Sequence, residues 1–236
     1  GAKNSSAAAR QILQKTEALY SSLSSFQCTG KTITTMEGAV GKGRNFPPEA
    51  NAAMSSMTRQ TNDYRIKMAR PNLYLIEWES KVLSAYTNLG AVWSAGEGDL
   101  AFMVGKTQKM NNRQSSLSRA AGVSSGATAN MPSTFFDSGK SNSIAKFADA
   151  SDLKLEKDEK IGGVECHVLS RTKDIPKAKE AMEMSGAAHL TIWIGKDDGL
   201  IHQRQTITKD FNVTLPGGGG TLSAKKMILT EIFENI

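Results

Sequence analysis

The sequence predicts an α+β protein in which a curved antiparallel sheet wraps on one N-terminal helix. Three observations predict it. Between residues 58 and 105, apolar residues recur at every second position, as Tyr64, Ile66 and Met68 and then as Tyr74, Ile76 and Trp78, so each strand has one apolar face. Arg70-Pro71-Asn72 breaks the run where a hairpin would reverse. One amphipathic helix precedes the run and is the long segment upstream able to cover that face. A sheet curved over a helix encloses either a packed core or an apolar cavity. The six alternating residues are therefore candidates to line a groove for a hydrophobic ligand, with ordinary core packing as the alternative.

The elements follow in order. Ser5 or Ser6 can cap a helix whose positions Ala9, Ile12, Thr16, Leu19 and Leu23 step by three and four, with Arg10, Gln14 and Glu17 facing water. Residues 25–36 are rich in Thr and β-branched side chains and read as the first strand. Residues 37–57, with their glycines and the Pro47-Pro48 pair, read as a loop with one helical turn. Residues 106–151 are dense in Ser, Asn, Gly and Ala, with apolar clusters at Leu117, at Phe135-Phe136 and from Ile144 to Phe147. Short helices and loops laid across one side of the sheet are expected there, as surface cover or as a lid.

Strands resume at residues 153–156 and, after the turn Lys160-Ile161-Gly162-Gly163, at 163–172. Residues 175–184, with Pro176 near the first turn and alternating Lys and Glu, predict a short helix. Residues 189–195 and 200–208 flank Lys196-Asp197-Asp198-Gly199, the clearest hairpin signal in the chain. Residues 211–215 then lead through the glycines at 217–220 to a closing strand at 226–233.

At 236 residues and 25.4 kDa, the chain is read as a single domain, residues 1–236. Its net charge of +6 comes from 29 Lys and Arg against 23 Asp and Glu, scattered without the dense basic block of a nucleic-acid tail. A mildly basic solvated surface is the plain reading; peripheral contact with an anionic membrane surface is the alternative. No stretch approaches the ~18 consecutive apolar residues of a membrane span. The sequence starts Gly-Ala-Lys, without methionine or an apolar leader, and is expected to derive from an exported protein whose leader has been removed. Cys28 and Cys166 are too far apart for a CxxC motif. Two reduced, buried thiols are expected, and a long-range disulfide, which needs an oxidising compartment, is the alternative.

Catalytic motifs fail on spacing. Gly105-Lys106-Thr107 and Gly139-Lys140-Ser141 mimic the end of a phosphate-binding loop, but its first glycine would fall at Leu100 and Thr134. The glycine run at 217–220 precedes a strand, so no helix N-terminus follows it to hold a phosphate. His167, His189 and His202 are isolated within strand patterns, and Asp197-Asp198 supplies too few oxygens for Ca²⁺. No GxSxG elbow is present. The expectation is a protein that is not an enzyme and has no catalytic residues, no metal and no cofactor: either a binder of a hydrophobic ligand or a structural or interaction module with a filled core.

The helix AARQILQKTEALYSSLSSF leading into a Thr-rich strand, the DYRIKMARPNLYLIEW hairpin, the SAYTNLGAVWSAGEGDLAFMV pair, GGVECHVLSRT and the LTIWIGKDDGLIHQRQTI hairpin resemble the bacterial periplasmic lipoprotein-carrier superfamily of LolA and LolB. The likeness runs in the same order over most of the chain and is strongest to that superfamily's uncharacterised predicted periplasmic branch. It implies an incomplete, half-open antiparallel β-barrel closed by helices and export by a signal peptide to the periplasm or cell envelope, with no established activity for that branch; a hydrophobic ligand or lipidated protein is the partner expected of the apolar groove. No ring of Arg and aromatic residues for lipoprotein handover can be matched. Residues 106–151 and 175–184 are larger than a minimal carrier needs.

Overall fold

Helix α1 spans Ala2–Ser22. The structure, a computed structural model, describes residues 2–49, 51–52, 59–82, 86–103, 105–175, 183–215 and 218–236. The buried stripe of α1 is Ala9, Leu13, Thr16 and Tyr20, flanked by the half-buried Ile12 and Leu19. It is thus centred between the expected positions. Two expectations for this helix are corrected. It begins before Ser5, whose Oγ donates to the Leu155 carbonyl at 3.3 Å and accepts from the Leu155 N–H at 3.0 Å. Arg10 does not face water: its guanidinium donates to the carbonyls of Ala148 and, at 2.8 Å, Ala150. A chain segment ending a helix lies beside it, and such ends leave carbonyls in need of donors.

Thirteen strands form one antiparallel sheet among the described residues: β1 Ser25–Glu37, β2 Val40–Lys42, β3 Arg59–Ala69, β4 Leu73–Val82, β5 Tyr86–Ser94, β6 Asp99–Met103, β7 Lys106–Met110, β8 Lys154–Leu155, β9 Glu159–Ile161, β10 Val164–Ile175, β11 Glu183–Gly195, β12 Ile201–Leu215 and β13 Gly220–Glu234. Their order is β7-β6-β5-β4-β3-β1-β13-β12-β11-β10-β8, with β2 paired to β13 and β9 to β10. The two ends of the path do not pair, so the barrel is open. The expected fold class, an incomplete antiparallel barrel with an N-terminal helix and short helices over it, is the one observed.

The period-two signal works because one face of this sheet is buried. β3 and β4 reverse at Arg70-Pro71-Asn72, which sets Tyr64 opposite Trp78, Ile66 opposite Ile76 and Met68 opposite Tyr74. The expected turn at Lys196–Gly199 lies between β11 and β12. Three expectations are corrected. β7 falls where helix and loop were expected, since the left-handed Gly105 (φ 71°) reverses the chain onto β6. Residues 201–215 form one strand with an irregularity at the left-handed Asp210, where two strands were expected. Of the expected helix at 175–184, Ile175 ends β10 and Glu183 and Met184 open β11, while residues 176–182 lie outside the described residues.

The cover consists of α2 (Arg113–Ala120), α3 (Asn130–Phe136), a 3₁₀ turn (Gly139–Ser141) and α4 (Ser143–Ala148). Asn142 organises its second half. Its Oδ1 caps α4 by accepting from the N–H groups of Ile144 (2.8 Å) and Ala145 (3.3 Å), while its Nδ2 donates to the carbonyls of Thr134 (3.1 Å) and Asp137 (2.9 Å). α1, the cover and the sheet share one hydrophobic core. Phe135 sits at its junction, with Phe26 at 6.5 Å and Phe136 at 4.8 Å between ring centroids. Cys28 and Cys166 are free and buried, as expected.

Candidate functional site

The inner face of the sheet is read most directly as rows running across the strands. One row holds Phe233, Gly30, Tyr64, Trp78 and Gly90, each opposite the next. The glycines are required there. A Cβ on Gly30 would meet the Tyr64 ring at 2.3 Å, and one on Gly90 would meet the Trp78 ring at 2.1 Å, so both aromatics lie flat over neighbouring strands. The next row is Cys28, Ile66, Ile76, Val92 and Ala101, apolar throughout.

On the other side of the aromatic row the chemistry changes. Arg204, Glu231, Thr32, Asn62 and Ser80 form a cross-strand row, each opposite the next, and all five are buried. Ser80 Oγ donates to Asn62 Oδ1 and Asn62 Nδ2 donates to the Ser124 carbonyl, both at 2.6 Å, so the β3–β4 end of this polar row is satisfied. Arg204 donates from Nη1 to Ser143 Oγ at 2.8 Å and from Nη2 to Thr134 Oγ1 at 2.7 Å, both on the cover. Asn130 Nδ2 donates to Glu231 Oε2 at 2.9 Å. Burial pushes the Glu231 carboxyl above the ordinary carboxylate range, opposed by the positive charge of Arg204, and the same burial draws the Arg204 guanidinium below its usual value.

A cavity of about 510 Å³ opens beside this pair, between α3, α4 and strands β10 to β13. Arg171, Lys173, Arg204 and Glu231 line it together with Phe147, Leu190 and Ile192. Beyond it the inner face continues as a half-buried strip: Leu190 and Thr206, Leu229 opposite Thr34, and Met227 opposite Met36. That strip passes into a second apolar cluster built on Phe211, Val213 and Ala224.

All six residues proposed from the sequence as groove lining, Tyr64, Ile66, Met68, Tyr74, Ile76 and Trp78, are brought together on this inner face. They are 0–4% exposed and packed in the common core. None borders the 510 Å³ cavity, which lies further along the same concave face. The polar row was missed, because Arg and Glu in strands normally read as surface. A signal existed nonetheless: Asn62 and Ser80 stand two positions from Tyr64 and Trp78, on the same parity as the apolar face.

The histidines keep local roles. His167 Nδ1 lies 3.4 Å from Asp158 Oδ1, and His202 Nε2 lies 2.8 Å from Asp198 Oδ2. Among the described residues no group of three metal-ligating side chains converges, and no helix is long and apolar enough to cross a membrane.

Fold and site define a half-open antiparallel barrel whose concave face is roofed by short helices. Solved structures similar to the chain include LprF from Mycobacterium bovis (11% identity, 98% of this chain and 93% of that one, TM-score 0.47) and the Mycobacterium tuberculosis lipoprotein LppX (13%, 97% and 96%, TM-score 0.42). A DUF1329 family protein from Desulfovibrio piger is similar at 11% identity over 97% of this chain and 90% of that one, with a TM-score of 0.26. No family model matches the sequence, and no curated protein does.

Proposed function

We propose that the protein is a non-enzymatic component of the cell envelope that binds a hydrophobic ligand, an acyl chain, lipid or lipidated peptide, in the groove between its curved sheet and its helical cover. One observation carries this reading: the cavity under the cover runs into the half-buried strip of Leu190, Leu229, Met227 and Met36 on the concave face. An acyl chain laid there gains ~0.8 kcal/mol per buried methylene, so about ten methylenes offset the ordering cost of binding. The six aromatic and aliphatic residues further along the same concave face continue this apolar surface beneath the cover.

Native mass spectrometry of gently purified protein and a lysolipid titration followed by thermal unfolding test it. Co-purified lipid and a rise in unfolding temperature are expected, since a ligand selective for the folded state must stabilise it. Leu229→Glu, on the half-buried strip, should remove the response and leave the protein folded. A second reading, an envelope interaction module with a filled core, is favoured by the 0–4% exposure of the six residues. Saturating lipid that leaves the unfolding temperature unchanged would establish that second reading and end the first.

A further inference from the structure

Two guanidinium groups meet at the cavity, and each has an unused buried donor. Arg204 spends Nη1 and Nη2 on the neutral hydroxyls of Ser143 and Thr134, and its Nε has no acceptor among the described residues. Arg171 follows the same pattern from β10. Its Nη1 donates to the carbonyls of Lys146 and Phe147, and its Nε is likewise buried without an acceptor. Among the described residues, no carboxylate lies within ion-pair distance of either group. Lys173 and Lys146 add two ammonium groups to the lining, against the carboxyls of Glu231 and Asp149. Glu231 is already engaged by Asn130.

A buried guanidinium whose partners are all neutral is an expensive arrangement for stability alone, because its charge leaves water without a counter-charge in contact. It is a favourable arrangement for receiving an oxyanion, which supplies both the missing acceptor and the opposite charge through short, charge-assisted hydrogen bonds. The position also matters. Arg171 stands opposite Leu190, and Leu190 opposite Thr206, one inward-facing step along β12 from Arg204. The cationic cavity therefore sits at the start of the half-buried apolar strip.

We propose that this cavity is a headgroup site, which takes the phosphate or carboxylate of an anionic amphiphile whose chain lies along Leu190, Leu229 and Met227. This rests on the hydrophobic-ligand reading and narrows it to one class of ligand. The test is calorimetric titration of the whole chain with tetradecyl phosphate, with tetradecyl maltoside as the uncharged probe of equal chain length, and with inorganic phosphate alone, each below any micelle concentration. Tetradecyl phosphate should bind at least about tenfold more tightly than the maltoside, the scale of one charge-assisted hydrogen bond. Arg171→Gln should remove most of that preference and leave maltoside affinity unchanged. Arg204→Gln should do the same, and because that variant can fail to fold, Arg171→Gln is the deciding one.

Equal affinity for the two amphiphiles, unmoved by Arg171→Gln, would overturn the headgroup site and leave chain binding standing. Binding of neither amphiphile would overturn both readings. Inorganic phosphate binding as tightly as tetradecyl phosphate would overturn the amphiphile and make the cavity a site for a free anion.

Discussion

Gly90 shows how single residues set the shape of the inner face. The Trp78 indole occupies the space where a Cβ at position 90 would stand, with no slack on the strand beneath it. Gly90→Ala should destabilise the protein by about 1–3 kcal/mol, the usual range for overpacking a filled interior. Equilibrium denaturation measures it; an unchanged midpoint would show that the indole can move aside. Titrating groups in the same core give a pH prediction. Burial pushes the Cys28 thiol up to about 12 and raises Tyr20, Tyr64 and Tyr74 above the ordinary phenol range. Each has a folded pKa above its unfolded value, so the stability it contributes is complete below the unfolded pKa and is lost as pH rises toward the folded one. The denaturation midpoint should therefore hold to about pH 9 and fall steadily above it. At pH 8 the native protein should leave both thiols unreacted with a thiol reagent, and the denatured protein should release two.

At the level of elements, the cover depends on its joints more than on its helices, which are short. Asn142 joins two of them, capping α4 and holding the end of α3 with the same side chain. Asn142→Ala removes the cap and leaves buried backbone groups unpaired, so a loss of about 2–3 kcal/mol is expected in a denaturant titration, with faster hydrogen exchange across residues 143–148. A loss below about 0.5 kcal/mol would mean that the cover contributes little to the folded state. The contrast in legibility between elements has a physical basis. β3 and β4 were readable because one face is apolar at strict period two and a proline marks their turn. β7, with the sequence KTQKM, lies at the sheet edge and has no such pattern. The cover was readable only in kind, since Asn142 acts through contacts that no local pattern announces. The cavity was the least legible: its cations come from β10, β12 and α4, and only the closing of the sheet around the cover brings them together.

Among the described residues of the whole molecule, the main strand path ends at two unpaired edges, β7 and β8, and each is blunted differently. β8 is two residues long, while β7 presents the exposed Lys106 and Lys109. Charge on an edge strand discourages pairing with a second chain. Replacing both lysines with valine should therefore promote concentration-dependent self-association in sedimentation velocity, with little change in unfolding temperature. If the variant sediments like the parent at every concentration, the edge is protected by shape and not by charge.

The buried polar row also acts as a key for pairing the strands. Because side chains alternate across a strand, sliding β13 by one residue against β12 and β1 would turn Glu231 outward and bring Thr230 or Ile232 inward. Asn130 would lose its acceptor, and Arg204 would lose the carboxyl group that stands opposite it on β13. An apolar row carries no such penalty, since one aliphatic side chain replaces another at small cost. Long strands such as β12 and β13 can meet in many offsets while the chain is folding. The row makes one of those offsets distinguishable from the rest, so the charges that serve the finished cavity also proofread the sheet that builds it.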